Sequence, residues 1–138
     1  MSTHIHTPTQ PLPSPSSAPI PPAVAWLGYG GLLPFLALAA VGLWAPGTPW
    51  WSAALLAYGA VILSFVGALH WGFAMAQSGL SAPERTRCFV WSVVPSLMAW
   101  PATLLPAAAG AVLLVAGFAA HLVQDHRLAA RTLLPTWY

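Results

Sequence analysis

The chain has 138 residues, 58% of them hydrophobic and only 4% charged, where an average soluble domain carries roughly 25% charged residues. Four arginines, two acidic residues and no lysine cannot give a chain of this length a polar skin, so most of its outside faces lipid. The net charge of +2 rests on too few cations for a phosphate-binding surface, so nucleic acid is excluded as a partner, and the single cysteine, Cys88, excludes an intrachain disulfide.

Residues 1–22 hold seven prolines among Ser, Thr, His4 and His6. Proline removes backbone donors and fixes φ, so this stretch is expected to be a disordered, partly polyproline-II tail. It lacks the basic residues of a secretory or transit signal and reads as retained. The rest, 23–138, reads as a transmembrane helical bundle.

The first apolar run, about 23–44, is uncharged and long enough to cross a bilayer core of ~30 Å at 1.5 Å per residue. Pro46, Gly47 and Pro49 end it. A second span is predicted over 50–76. Gln77–Arg87 reads as a polar loop, followed by a third span over about 88–105. Pro106 and Gly110 then bracket a turn, and a fourth span runs over about 108–123 before the polar Gln124, Asp125, His126 and Arg127. Period-two alternation is absent, and open sheet edges are excluded in hydrocarbon, so the fold class is an all-α membrane protein with four transmembrane helices.

Four spans place both termini and the 77–87 loop on one side. Arg85, Arg87, Arg127 and Arg131 then all fall there, which makes that side the cytoplasm and the topology N-in/C-in. Trp44, Trp50, Trp51 and Trp100 fall near one interface and Trp26, Trp71, Trp91 and Trp137 near the other, as an aromatic belt requires.

Helix association in lipid relies on close packing of small residues. Ala60, Ser64, Ala68 and Gly72, with Gly67 beside them, form the expected contact stripe of the second span. Ser92, Ser96, Ala99 and Thr103 form that of the third, and Gly28, Gly30 and Gly31 that of the first. Pro34, Pro95 and Pro101 are expected to kink their helices.

Ionisable groups within spans are costly and usually face the bundle interior. His70 lies roughly 10 Å before the end of the second span, counted at 1.5 Å per residue. His121 lies at a comparable depth in the fourth, with Asp125 one turn below it. Trp91 and Ser92 enter the same layer from the third span. The candidate cluster is His70, Trp71, Ser92, His121 and Asp125. It supports three readings: hydrogen-bonded structural residues; a proton- or ion-handling site, as in a proton-linked or small-solute transporter; and bis-histidine haem ligation by His70 and His121. Metal binding lacks an assured third ligand. Catalytic motifs are absent. Ser64, Ser92 and Ser96 have no Gly-x-Ser-x-Gly setting, and Gly28-x-Gly30-Gly31 sits inside an apolar run, so the chain is not expected to be an enzyme.

Leu27–Phe35, Tyr58–Gly72, Trp91–Pro95 and Ala99-Trp100 resemble the small proteobacterial membrane proteins of domain-of-unknown-function family 3429, to which the mitochondrial transmembrane protein 69 group is similar. The resemblance implies an uncharacterised multi-pass protein of the bacterial inner membrane on a five-helix plan. It implies no activity, but favours a role for Ser64, His70 and Trp71. Leu134–Tyr138 resembles the motif that leads into the fifth segment, so the chain is expected to be shortened or truncated there. With short loops and small-residue faces, the leading expectation is a structural or assembly partner, as a homo-oligomer or a subunit of a membrane complex.

Overall fold

The computed structural model describes residues 21–47 and 50–130. The expected tail lies outside them except for Pro21 and Pro22, as do Arg131, Trp137 and the Leu134–Tyr138 motif. Five helices follow in order: α1 Pro22–Gly30, α2 Leu33–Trp44, α3 Trp50–Ala76, α4 Ala82–Ala102 and α5 Ala107–Ala129. No strand occurs among the described residues.

Three segments are long and apolar enough to cross a membrane: Pro22–Trp44, which comprises α1 and α2, then α3 and α5. The protein is a multi-pass α-helical membrane protein. The first span is broken at Gly31–Leu32 rather than gently kinked. Pro34 has no N–H to return to the Gly30 carbonyl, and next to it the Gly31 carbonyl accepts a bond from the Tyr58 hydroxyl on α3 at 2.9 Å. The Phe35 and Tyr58 rings meet edge to face beside it, 4.9 Å apart.

The helices of the third and fourth expected spans, α4 and α5, depart from the expected limits. α4 starts at Ala82, six residues early, because Ser81 and Glu84 form a capping box. The Glu84 carboxylate accepts from the Ser81 N–H at 3.0 Å and from its hydroxyl at 2.6 Å. The Ser-x-x-Glu signal lies inside the polar 77–87 stretch, whose composition alone resembles a loop. α4 ends at Ala102, just past Pro101. α5 begins at Ala107, so Gly110 lies inside the helix, and it continues past Val123 through Gln124–Arg127 to Ala129.

The core lies between α3, α4 and α5. α3 buries Gly59, Ala60, Leu63, Gly67, His70 and Ala74. α4 buries Cys88, Ser92, Pro95, Ala99 and Ala102. α5 buries Gly110, Leu114, Gly117, His121 and Leu128. Apart from the adjacent Gly59 and Ala60 and one full heptad from His121 to Leu128, these positions alternate by three and four, the seam of knobs-into-holes packing. The expected stripes are therefore partly shifted. Ala60, Gly67, Ser92 and Ala99 are buried as anticipated, but Ser64 and Ser96 are half-buried, and Ala68, Gly72 and Thr103 face outward. Gly28 and Gly30 have open space above them and pack on no neighbouring helix. Spacing by four alone cannot hold one face of a 3.6-residue helix over three turns, so the seam drifts to the 3–4 pattern.

Glycine matters where helices approach closely. A Cβ on Gly67 would stand 2.8 Å from the Pro95 ring, and one on Gly117 2.6 Å from Leu63 Cδ2. Gly110 lies against the Ala102 carbonyl, closing the α4–α5 turn.

Candidate functional site: a buried histidine–aspartate layer

Two apolar clusters fill the bundle. One contains Ala60, Leu63, Ala99, Ala102 and Leu114; the other contains Ala74, Cys88 and Leu128. Between them runs one polar layer of His70, Ser92 and His121, the only buried polar side chains among the described residues. Each sits one heptad from an apolar seam position: Leu63 to His70, Ala99 back to Ser92, Leu114 to His121. The polar groups thus occupy core positions, and the same helix packing that buries leucine buries them.

His70 is fully buried (0% exposed) and His121 is 5% exposed. Their rings touch edge to face, with centroids 5.0 Å apart. Asp125, one turn below His121, reaches both. Its Oδ1 lies 3.4 Å from His70 Nε2 and its Oδ2 lies 3.4 Å from His121 Nε2. Neither nitrogen of His70 and neither lone pair of Asp125 Oδ1 finds a hydrogen-bond partner. The meeting of His70, His121 and Asp125 from two helices is the relationship that shared depth alone left open.

Trp91 belongs to this layer. Its Nε1–H donates to His121 Nδ1 at 3.2 Å, and the two rings lie nearly parallel, 6.5 Å apart. Trp91 is the site residue that the candidate set omitted; its depth beside Ser92 was its signal.

Two candidates fall away from the cluster, and a third contributes little to it. Trp71 is half exposed and packs on Phe89, with centroids 4.7 Å apart. It follows His70 by one residue, a step of 100° around the helix that turns it outward. Ser64 lies six residues before His70, about 9 Å along the axis at 1.5 Å per residue. Ser92 is buried in the layer, but its hydroxyl donates to the Phe89 carbonyl at 2.7 Å and is used within its own helix.

Arg85, Arg87 and Arg127 lie at the same end. Arg85 Nη1 donates to the Ala74 carbonyl and its Nη2 to the Gln77 carbonyl at 3.0 Å. It thereby caps the C-terminal end of α3 from the start of α4, supplying donors to carbonyls that have no helical partner. Arg87 and Arg127 line one cavity with Glu84 and Gln124.

A cavity of about 330 Å³ flanks the layer, lined by Val66, Leu69, Phe118, His121, Leu122 and Asp125. It brings open space to the α5 side of the cluster. The arrangement can share a proton among three groups or present three donor atoms to a cation.

Comparison with known proteins places the chain. Transmembrane protein 69 of Xenopus tropicalis is 35% identical over 124 residues, covering 86% of this chain and 47% of that protein. The chain therefore spans about half the length of this curated relative. No solved structure matches it. The family model described as "Protein of unknown function (DUF3429)" matches residues 20–138, so the chain belongs to that family.

Proposed function

We propose that this protein is a non-enzymatic subunit of a membrane assembly, formed with copies of itself or with other membrane proteins. The observation that carries the reading is the outward α3 face of Ala68 and Gly72. Both are small, both are exposed, and nothing lies within 4 Å of where a Gly72 side chain would begin. Without a hydrophobic drive between helices in lipid, such a face suits close approach by a helix of another subunit. The flanking Phe65 and Met75 are exposed as well.

Blue-native electrophoresis of gently solubilised membranes tests this reading. A complex well above the mass of a single chain is expected. Gly72→Leu should dissociate it while helix content is unchanged. A lone monomer under mild solubilisation would end the proposal.

On this reading α4 also crosses the bilayer, giving four spans. Its uncharged stretch, 88–102, covers only ~22 Å at 1.5 Å per residue, but it packs along α3 through Gly67 and Pro95. The end that carries Arg85, Arg87 and Arg127 then faces the cytoplasm of a bacterial inner membrane by the positive-inside rule.

The rival reading, a proton-linked or small-solute transporter, draws its support from His70, His121 and Asp125. Beyond that layer the core is Leu63, Ala99, Ala102 and Leu114, which offers a proton no relay. Bis-histidine haem ligation needs a macrocycle between the two rings. The direct ring contact at 5.0 Å gives that reading no support.

A further inference from the structure

The dimensions of the histidine–aspartate layer carry a conclusion that the assembly reading does not need. Donor atoms of His70, His121 and Asp125 all lie within 4.8 Å of one another. Both histidine-to-carboxylate separations are 3.4 Å. A charge-assisted N–H···O bond closes to about 2.7–2.9 Å, so these contacts are too long for strong hydrogen bonds. Two donors each about 2.0–2.1 Å from a shared ion, at a tetrahedral angle, stand about 3.3–3.4 Å apart. Each histidine–carboxylate separation has the length of that edge, His70 to Oδ1 and His121 to Oδ2, while the donor set as a whole spreads up to 4.8 Å and would draw together around the ion.

Burial points the same way. Polar atoms inside proteins nearly always have a partner, yet both ring nitrogens of the fully buried His70, together with Asp125 Oδ1, have none. We propose that His70, His121 and Asp125 bind one divalent transition-metal ion of the zinc class, through Nε2 of each histidine and the Asp125 carboxylate. Two imidazoles and a carboxylate form a donor set suited to that ion. The cavity beside His121 and Asp125 leaves room for a water as fourth ligand.

Trp91 adds a signature. An indole N–H only donates, so in the metal-free protein His121 accepts at Nδ1 and carries its single ring proton on Nε2, toward Asp125. When the ion takes Nε2, that proton moves to Nδ1, where it would oppose the indole N–H. Trp91 must then turn away, and it competes with the metal.

The test uses the full chain in lipid nanodiscs, purified by a tag without histidines, with Co²⁺ and Zn²⁺ as probes. One Co²⁺ per chain is expected, with the visible absorption of tetrahedral cobalt, displaced by Zn²⁺. His70→Gln and Asp125→Asn should each weaken binding by at least about tenfold, as loss of a metal-site group does. His4→Ala/His6→Ala, in the N-terminal segment, should leave binding unchanged. Trp91→Phe should bind equally or several-fold more tightly, whereas a purely structural layer loosened by this change would bind no better than His70→Gln. Circular dichroism checks that each variant is folded, and Trp91→Phe decides the matter if His70→Gln is not. Octahedral cobalt, binding abolished by the His4/His6 pair, or no binding by the wild-type chain overturns the proposal.

Discussion

Gly67 on α3 and Pro95 on α4 are packed so closely that a Cβ added to the glycine would lie 2.8 Å from the proline ring. Pro95 is fully buried at this crossing. A proline inside a helix removes one backbone bond and brings a bulky ring to the surface. Here a glycine opposite accommodates that ring, and the two helices keep their seam.

Gly67→Val should therefore destabilise the bundle by about 1–3 kcal/mol, the usual cost of overpacking a close contact. Gly72→Val, five residues on and facing outward with nothing within 4 Å, should leave the isolated chain's stability nearly unchanged. Denaturant titration of the two variants in the same detergent compares them directly. Equal losses would show that the Gly67–Pro95 contact does not matter to stability.

Arg85→Ala should release the carbonyls of Ala74 and Gln77 at the end of α3. Hydrogen bonds to charged groups contribute about 1.5–3 kcal/mol, discounted here because this end is partly exposed. Amide exchange should speed up over the last turn of α3 and remain slow near Leu63. Unchanged exchange at Ala74–Gln77 would mean that the cap contributes nothing.

Orientation is checked by labelling single cysteines in a Cys88→Ser background. Cysteines at Gly47 and Gly79, both open positions, should react with membrane-impermeant reagent from opposite sides of an intact membrane, Gly79 from the cytoplasmic side. Labelling of both from one side would rule out α3 as a span with the arginine-bearing end inside.

Helix limits illustrate how far local chemistry reaches. The breaks at Pro46 and Pro106 are legible because proline acts on its own backbone. The start of α4 was encoded in Ser81-x-x-Glu84, yet the charge around it suggested a loop. The end of α5 is hidden for a similar reason. Gln124, Asp125, His126 and Arg127 are polar, but at a membrane boundary polarity ends the hydrocarbon and not the helix.

Composition and apolar run length alone determined that this is a helical membrane protein, because backbone groups in lipid must be satisfied within each segment. They also determined the depth of His70, His121 and Asp125, since rise per residue is fixed. Which faces meet was decided only by tertiary packing. Small residues are equally acceptable to lipid and to another helix, so Ala68 and Gly72 looked like core and Leu63 did not stand out. The seam set by Gly67 against Pro95 and Gly117 against Leu63 turns His70 and His121 toward one carboxylate. It also brings Trp91 onto the remaining nitrogen of His121.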